Sequence, residues 1–599
     1  MGSFVAVLPC DGATAYFRHL AERASRAITG KQRIEPDFRV STKWSFAASC
    51  RRWNGGGAPI AVDPESGSWL AVVGTCFHES GNNQPENLLE QYLSVGAERL
   101  ACDLDGFFAV IAGNAKTRET IVITDIVGSL HFYHRLVKSG VALSSSSLIL
   151  SQLGAVSLDS VGCQEFLASG IMYEDRAFYD EIRKLPPATI TTFANGHLSG
   201  QQRYWDAAKL QPDLLPAKQA ADALWEELVF AVGKINKQFE SVACDLTGGY
   251  DSRAVAAAFL GGHRKFATVV SGPADSADVV ISRGLAAKLG LRHIHYPASS
   301  GTTYEEMESA LQLTDGEYDL VEYVNVARIH RDLSQRFNIS INGSFGEIAR
   351  GYWWELLFPR TGEHLKLDSG KLARRRYATK SCNTLFQPKY QIDLVEHIKG
   401  VVERSVKGLE SYPNTFQMDI AYLQMRMQRW QGRIASSTNR IWPCLSPFMS
   451  RKVLEIMLQT RFAARERSFL IRLMLAKYQP ALGSFPLEHG YPALPATWKT
   501  VPRFWRLLPH YATKVIHKVE SRLVQDGPDP LQRTRSELWQ SEQIRTLLNP
   551  LSMKSMAILD ANAVAALLER SRNTGFSQGG EWNRLLTLEW AISRETASS

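Results

Sequence analysis

One stretch near the middle of the chain, residues 241–253 (SVACDLTGGYDSR), constrains the fold more than any other. Its residues Val242 to Leu246 are typical of a short buried strand. Thr247-Gly248-Gly249 interrupts the extended run, and residues 252–260 (SRAVAAAFL) are typical of a helix that ends at Gly261. A strand, a glycine turn and a helix in this order direct backbone N–H groups and the positive helix end towards one point. The stretch therefore predicts an anion-binding turn.

The side chains of this turn suit a phosphate. Gly248 and Gly249 let a phosphate approach the backbone because no Cβ intervenes, and Thr247 and Ser252 add hydroxyl donors. Asp251 supplies a carboxylate that can hold Mg²⁺ beside phosphates. Two adjacent glycines also occur in ordinary strand-to-helix turns, so the pattern alone leaves both interpretations open. It is not a Walker P-loop, because the Gly-Lys-Ser/Thr ending is absent.

The segments on either side of the turn alternate between strand and helix patterns. Residues 210–235 are typical of an amphipathic helix, and residues 276–290 (SADVVISRGLAAKLG) of a second helix. Residues 265–272 and 292–296 have the β-branched and apolar composition of strands. This alternation predicts an α/β fold with a parallel, doubly wound sheet, which binds ligands at the carboxyl ends of its strands.

The first 205 residues or so alternate short strand patterns with turns instead. Strand patterns occupy residues 68–77, 104–111, 121–124 and 141–147. Strands at this spacing predict packed antiparallel sheets. From the residues alone we interpret this part as a β-rich domain that precedes the parallel sheet.

Composition excludes several classes of protein. A chain of 599 residues predicts two or more domains. Its eight cysteines form no C-x-x-C pair, which favours reduced thiols in a cytoplasmic protein over a zinc site or a disulfide framework. The net charge of +8 is mild, no nucleic-acid motif is present, and no stretch is typical of a signal peptide or a membrane span.

Two basic segments have a functional and a plainer interpretation. Residues 371–380 (KLARRRYATK) suit either a docking site for an acidic partner or a solvated face, and we favour the solvated face. Residues 498–523 suit either a membrane-surface helix or a helix packed on protein. Pro502 and Pro509 interrupt the face, which favours the packed helix.

The order Thr-Gly-Gly-Tyr-Asp-Ser at 247–252 resembles the pyrophosphate-binding loop S-G-G-x-D-S of the N-type ATP pyrophosphatases, the family that includes asparagine synthetase. Segments at 104–111, 124–135 and 178–193, and Tyr204-Trp205, resemble the amino-terminal domain of the glutamine-dependent asparagine synthetases and its end, in the same order. The resemblance implies an Ntn-hydrolase-like β-sandwich followed by an ATP pyrophosphatase domain with a helical extension. We place the three parts at residues 1–208, 209–495 and 496–599.

The sequence departs from those amidotransferases at their nucleophile. The family has cysteine at residue 2, where this chain has Gly2, and the first cysteine here is Cys10. Cys10 lies too deep in the chain to use its own α-amine as the base. We therefore expect a domain without glutaminase chemistry.

Residues 339–352 (ISINGSFGEIARGY) resemble the second family motif, S-G-E-G-S-D-E-x-x-G-G-Y. The family's metal-binding Asp falls on Gly346 and its leading Glu on Gly343, so Glu347 takes the second Mg²⁺ carboxylate by default. A glutamate in the first turn of a helix remains the alternative. The resemblance implies ATP and Mg²⁺ as cofactors and Asp251 and Glu347 as catalytic and metal-binding residues. The implied nucleotide-binding residues are Leu246, Thr247, Gly248, Gly249, Asp251, Ser252, Ser271, Gly272, Asn342 and Gly343.

The catalytic cation of the family has no match. Residues 486–491 (PLEHGY) fall where the family has R-P-K-x-G-F, with Glu488 or His489 in place of Lys. Lys477 is a weak substitute. Arg429 and Arg440 are candidates to face phosphates, and solvated arginines on a packed helix are an equal alternative.

Two subfamilies without the glutaminase cysteine fit these losses, β-lactam synthetases and lasso peptide cyclases. The carboxy-terminal extension, the loop form that ends in Arg253 and the basic surface favour the cyclase. The resemblance then implies that a side-chain carboxylate of a precursor core peptide is adenylated and attacked by the peptide's own amino terminus. It also implies a leader peptidase as partner. An asparagine synthetase-like enzyme using ammonia, a β-lactam or other small-molecule amide ligase, and a non-catalytic scaffold remain alternatives.

Overall fold

The computed structural model describes residues 2–10, 14–29, 35–57, 59–298, 301–377, 382–488, 490–496, 529, 531–577 and 579–594. The described chain begins with antiparallel sheets and continues into a parallel sheet. Both sheet types were predicted from the strand and helix patterns, and both predictions are confirmed. The boundaries proposed after residues 208 and 495 stay predictions.

The amino-terminal part contains two six-stranded antiparallel sheets, in the orders β10-β8-β9-β1-β3-β2 and β12-β11-β7-β6-β5-β4. Its strands are β1 (Ser3–Pro9), β2 (Phe38–Ser41), β3 (Phe46–Cys50), β4 (Ile60–Val62), β5 (Trp69–His78), β6 (Leu104–Asn114), β7 (Glu119–Thr124), β8 (Tyr133–Val137), β9 (Gly140–Ser144), β10 (Ile182–Lys184), β11 (Thr189–Ala194) and β12 (His197–Arg203). The sheets face each other, and the rings of Phe4 and Trp69 lie 6.4 Å apart between them.

This part also contains helices, which the strand and turn patterns of the sequence did not predict. The helices are α1 (Thr14–Thr29), α2 (Pro85–Asp103), α3 (Ser147–Ser151) and α4 (Ser160–Ser169). In α1 the buried residues Phe17, Leu20, Ala24 and Ile28 follow the three- and four-residue spacing of a helix. In α2 the side chains of Leu88, Leu89 and Leu100 are buried against the second sheet. The interpretation of this part as a β-rich domain is confirmed, and the helices add to it.

The second part contains a five-stranded sheet in which every neighbouring pair is parallel, in the order β15-β14-β13-β16-β17. Its strands are β13 (Val242–Asp245), β14 (Ala267–Ser271), β15 (His293–Tyr296), β16 (Ile339–Ile341) and β17 (Cys444–Leu445). The strands predicted at 265–272 and 292–296 and the turn-to-helix pattern after β13 all lie within this sheet and its connections.

The helices of the second part surround this sheet. They are α5 (Ala217–Gln238), α6 (Asp251–Gly261), α7 (Ala277–Leu289), α8 (Tyr304–Thr314), α9 (Leu320–Ser334), α10 (Ser369–Leu372), α11 (Leu394–Ser405), α12 (Asn414–Ala421), α13 (Gly432–Asn439), α14 (Arg451–Gln459), α15 (Phe462–Arg465), α16 (Phe469–Tyr478) and α17 (Pro480–Ser484). Residues Tyr422–Gln431 join α12 to α13 with π-helical hydrogen bonding.

The described residues of the carboxy-terminal part include the helices α18 (Gln532–Gln540), α19 (Glu542–Leu547), α20 (Ala561–Asn573) and α21 (Gly580–Ser593). Large apolar side chains of α21 are buried, among them Trp582, Leu585, Leu586, Leu588 and Trp590. The basic segment 498–523 lies outside the described residues. None of the helices that the structure describes is long and apolar enough to cross a membrane.

A buried ion network joins the two sheet-containing parts. Asp315 accepts hydrogen bonds from Arg440 at 2.8 Å, from Arg433 at 3.2 Å and from the Ser146 hydroxyl. Glu317 lies 3.0 Å from Lys184 Nζ and accepts from the hydroxyl of Tyr133. Because each charge is buried but paired, the network fixes how the parts meet.

Candidate functional site

The order of the parallel strands marks where a ligand site is expected. β13 lies between β14 and β16, so the chain leaves β13 towards one side of the sheet and resumes on its other side at β16. In open α/β sheets such a switch point forms a crevice outside the carboxyl ends of the strands. The turn after β13 (residues 246–250) and the loop after β16 (residues 342–350) both begin at this edge.

The two loops are in direct contact. A Cβ placed on Gly343 would lie 2.6 Å from the backbone nitrogen of Ser252, and one placed on Gly346 would lie 2.7 Å from Asp251 Cβ. Arg350 donates to both carboxylate oxygens of Asp251, at 2.7 and 2.6 Å. The structure therefore brings the two predicted motifs together, although 99 residues separate Asp251 from Arg350.

Replacing Gly346 by alanine should destabilise the protein. The added Cβ would lie 2.7 Å from both Cβ and Cγ of Asp251, and such overpacking typically costs about 1–3 kcal/mol. We expect urea denaturation of Gly346→Ala to show that loss. Gly200→Ala is the matched control, because no atom lies within 4 Å of its added Cβ. Equal stability of the two variants would contradict the contact.

The N–H groups of the glycine turn donate to side-chain oxygens. Thr247 N donates to Ser252 Oγ at 3.0 Å, and Gly249 N donates to Thr247 Oγ1 at 3.2 Å. Gly248 N donates to a carboxylate oxygen of Asp278, the second residue of α7, at 2.8 Å. The carboxylate of Asp278 thus already accepts a hydrogen bond from the Gly248 N–H, which we predicted to bind a phosphate. Leu246 is buried and its N–H donates to Val269 O, so its side chain is structural.

Arg253 anchors the turn from beneath. Its guanidinium is buried and donates to the carbonyl oxygens of Gly248 at 3.3 Å, Phe485 at 2.7 Å and Pro486 at 3.1 Å. Burial lowers its pKa to about 10. The arginine therefore ties the glycine turn to the segment that begins at Phe485, and Glu488 N lies 3.8 Å from the Cβ position of Gly248.

Among its described residues, 485–488 and 490–496, that segment contains no cation of the kind that the resemblance called for. Glu488 is acidic, and His489 lies outside the described residues. Lys477 donates to Asp222 at 2.6 Å and its side chain is 54% exposed, which gives it a partner on α5. Arg472 is closer to the turn, since its Nε donates to the hydroxyl of Tyr250 at 3.0 Å. Sequence reasoning had not selected Arg472.

The two predicted metal-binding carboxylates, Asp251 and Glu347, lie close enough for their charges to interact. Burial, and then the negative charge of Asp251, raise the pKa of Glu347 to about 7. Glu347 Oε2 is buried and has no hydrogen-bond partner. The residue lies in a 3₁₀ turn, Gly346–Arg350, rather than in the first turn of an α-helix, which was the alternative interpretation. Phe345 before it has a φ of 72°, in the left-handed region that bulky residues rarely adopt and that is often found at functional sites.

These residues fit a single Mg²⁺ shared with a ligand. Mg²⁺ is commonly held by one or two carboxylates together with substrate phosphates. Asp251 and Glu347 supply two, and the unpartnered buried oxygen of Glu347 is free to bind a cation. No group of three or more His, Cys, Asp or Glu side chains suited to a metal occurs among the residues that the structure describes. Two carboxylates leave the other positions of a six-coordinate Mg²⁺ to oxygens of a bound phosphate or of water.

The predicted adenosine-binding residues lie at the same sheet edge. Ser271 ends β14 with an exposed side chain, and Gly272 has a φ of 135° that favours glycine. Gly272 N donates to Tyr296 O at 3.0 Å, and His295 Nε2 lies 2.8 Å from Gly272 O. His295, on the neighbouring strand β15, thus helps to hold this turn in place.

Asn342 continues the edge at the end of β16. Its backbone N–H donates to Leu445 O at 3.1 Å, and its Oδ1 accepts from Ser344 N at 3.0 Å. Gly343 follows against α6. The sequence missed Asp245, the last residue of β13, whose pKa burial raises to about 7. Its position directly before the glycine turn was the signal that could have identified it.

The two arginines that were candidates to face phosphates are both buried. Arg440 is buried in the Asp315 network and donates to Ser145 O. Arg429 is 8% exposed, and burial lowers its pKa to about 10. The acidic groups around it, Asp175 and Glu317 among them, are remote in sequence from the glycine turn. The alternative of solvated arginines is wrong for both residues, because both are buried. Arg440 is paired with Asp315, and a phosphate contact stays a prediction for Arg429.

A second candidate cavity surrounds Gly2. It is lined by Gly2, Arg52, Gly74 and Arg440, and its volume is about 20 Å³, enough for one water molecule. Arg52 donates to Gly74 O and lies 3.4 Å from Thr75 Oγ1. Burial lowers the pKa of Arg52 to about 10. The cavity is too small for an amino-acid ligand as the side chains stand.

Glutaminase activity should be absent. Gly2 carries no nucleophile, and Cys10 lies at the far end of β1, where its Sγ is 3.4 Å from His197 Nε2. We expect purified protein to release no ammonia from glutamine in a coupled glutamate dehydrogenase assay. Ammonia release that persists in the Cys10→Ala variant would contradict the prediction that a domain with Gly2 in place of the nucleophile has no glutaminase activity. Release that this variant abolishes would show that Cys10 is the nucleophile.

Residues 73–205 match the model of the glutamine amidotransferase domain family. The chain therefore contains a glutamine amidotransferase-type domain within the part that forms the two antiparallel sheets. The match begins after Gly2 and Arg52 and covers well under half of the chain, so it leaves the nucleophile position and the parallel sheet unassigned. No curated protein matches the chain.

Two solved structures resemble the chain in part. The allosteric regulatory enzyme of purine biosynthesis is 10% identical with a TM-score of 0.20, and the match covers 45% of this chain and 65% of that one. Glutamine phosphoribosylpyrophosphate amidotransferase from B. subtilis, complexed with ADP and GMP, is 10% identical with a TM-score of 0.22, covering 51% and 67%. The chain thus spans about two thirds of each. Scores this low carry no argument about its fold or function.

Proposed function

We propose that the chain is an ATP-dependent, AMP-forming amide ligase that closes a macrolactam in a lasso precursor peptide. The observation that supports this most is the meeting of the glycine turn with the Asp251–Glu347 acid pair at the switch point of the sheet. An anion-binding turn beside two carboxylates suits a metal–phosphate ligand. The amidotransferase-type domain and the resemblance of both motifs to asparagine synthetases support the same class.

In the proposed reaction the glycine turn binds the phosphates that leave as pyrophosphate. The N–H groups of Thr247, Gly248 and Gly249 exchange their present partners for phosphate oxygens, and the Ser252 hydroxyl adds a donor. Asp251 and Glu347 would hold Mg²⁺, which supplies positive charge to the phosphates when bound. Ser271 and Gly272 would receive the adenosine at the end of β14.

A carboxylate of the peptide attacks the α-phosphate, and pyrophosphate leaves. The peptide's amino group then attacks the acyl-adenylate carbonyl, AMP leaves, and the amine loses its proton. The protein contributes charge stabilisation and positioning, the latter worth up to ~7–11 kcal/mol when both groups are held together. A leader peptidase that frees the amino group is the expected partner.

The test uses full-length protein, MgATP and candidate precursor peptides that carry Asp or Glu near a free amino terminus. AMP, pyrophosphate and a peptide lighter by one water are the expected products. AMP formed with aspartate and ammonia instead would indicate an asparagine synthetase-like or other small-molecule ligase. No AMP with any acid would contradict the proposed class.

One observation favours a different candidate, a nucleotide-binding protein without turnover. Both oxygens of Asp251 are engaged by Arg350, and Gly346 offers no carboxylate. Calorimetry that shows ATP binding with no AMP formed under any condition would favour this candidate over the ligase.

A further inference from the structure

Arg350 occupies the position at which a cation would meet Asp251. Its side chain is 22% exposed, that of Asp251 is 15% exposed, and both oxygens of the carboxylate accept from the guanidinium. The guanidinium also lies 5.8 Å from the ring of Tyr250 and 6.0 Å from that of Tyr352. This bidentate pair in a largely buried site is a strong form of ion pair.

The local fold directs Arg350 there together with Glu347. The two residues are three apart in a 3₁₀ turn, where side chains three apart eclipse one another. Gly346 lies against Asp251 with no room for a Cβ, which brings the turn close enough for the guanidinium to reach the carboxylate. The site thus combines two acids and one arginine.

Such a site should bind a free divalent cation poorly. The guanidinium takes both oxygens of Asp251, and a second cation beside it would meet repulsion that partial burial strengthens. Glu347 alone offers one unpartnered oxygen. Because Mg²⁺ gives up its bound water molecules reluctantly, this single oxygen makes a weak site.

A triphosphate changes this balance. Arginine binds phosphate oxygens in the same bidentate way as carboxylate oxygens. Once the guanidinium turns to a phosphate, both oxygens of Asp251 become available to a metal that the phosphates also bind.

We propose that Arg350 makes metal binding at Asp251 and Glu347 conditional on the nucleotide, by holding Asp251 until a triphosphate takes over the guanidinium. This rests on the proposed function for the nucleotide and adds a positioning residue and an order of binding to it. Family resemblance did not select Arg350, because the first glycine of the Gly-Gly-Tyr ending falls on this position.

The test measures Mn²⁺, as a probe for Mg²⁺, by electron paramagnetic resonance. Wild-type protein should bind Mn²⁺ at this site only when α,β-methylene-ATP is present. Without nucleotide, Arg350→Gln should bind Mn²⁺ at least about 10-fold more tightly than wild type does without nucleotide. A change of this size is within the usual range of coupling between two sites. Adding Glu347→Gln to that variant should remove the binding.

Arg404→Gln is the matched control. Arg404 also makes a bidentate pair, with Glu174 at 2.6 and 3.1 Å, but at an exposed position. It should leave Mn²⁺ binding as in wild type. Arg350→Lys keeps one charge and should partly restore the dependence on nucleotide, and thermal melting checks that each variant folds.

Tight Mn²⁺ binding by wild type without nucleotide would overturn the proposal, as would a folded Arg350→Gln that binds none. If no form binds nucleotide, the proposed function fails. In that case the Mn²⁺ titration of Arg350→Gln still decides whether Arg350 keeps metal from the acid pair.

Discussion

Asp251→Asn should reduce ATP-to-AMP turnover by about 10²–10³-fold, the loss seen when one group that stabilises developing charge is removed. The amide keeps the size of the side chain but has no charge to hold a metal, and it leaves the guanidinium of Arg350 without its bidentate partner. Release of pyrophosphate in the presence of a cyclisable peptide, followed with a coupled phosphate assay, measures the effect.

Asp222→Asn is the matched control for that variant. Asp222 also lies in an ion pair, with Lys477 at 2.6 Å, but on an exposed face of α5. Its replacement should leave turnover within about twofold of wild type, since exposed pairs contribute ~0–1 kcal/mol. Unchanged pyrophosphate release by a folded Asp251→Asn variant would show that Asp251 takes no part in catalysis and that the proposed metal position is wrong.

The glycine turn could be predicted because its signal is local. Thr247, Gly248 and Gly249 interrupt a strand directly before a helix, and each element lies within a few residues of the next. The parallel sheet followed from the same kind of signal, repeated three times along the chain. The helix α1 carried an equally clear spacing, from Phe17 to Ile28, but was overlooked beside the stronger strand patterns.

Contacts between distant residues could not be predicted in this way. Nothing in the segment around Arg350 indicates that its guanidinium meets Asp251, because that contact depends on how β16 lies beside β13. Arg440 shows the opposite failure. From its place in the sequence it was a candidate to face either phosphate or solvent, yet it is buried between the two parts of the chain and paired with Asp315. Burial and charge pairing of this kind are properties of the assembled fold.

Asp315→Ala should cause the largest loss of stability, about 3–5 kcal/mol, because removing one partner of a buried ion pair leaves the other charges unpaired. Asp315 is fully buried, and Arg433, Arg440 and Ser146 all donate to it. Urea denaturation followed by tryptophan fluorescence measures the change. Glu174→Ala, which removes an exposed acid paired with Arg404, is the control and should lose at most about 1 kcal/mol.

The same residue predicts how stability depends on pH. Burial alone would raise the pKa of Asp315, but the charges of Arg440 and Arg433 outweigh burial and lower it below the ordinary value of 3.8. The ionised carboxylate therefore stabilises the folded protein above pH 3.8, and this contribution is lost as the pH falls through the lowered pKa of the folded state. Wild type should lose stability in acid more steeply than Asp315→Ala. Parallel pH profiles for the two proteins would show that Asp315 is not the charge on which the junction between the sheets depends.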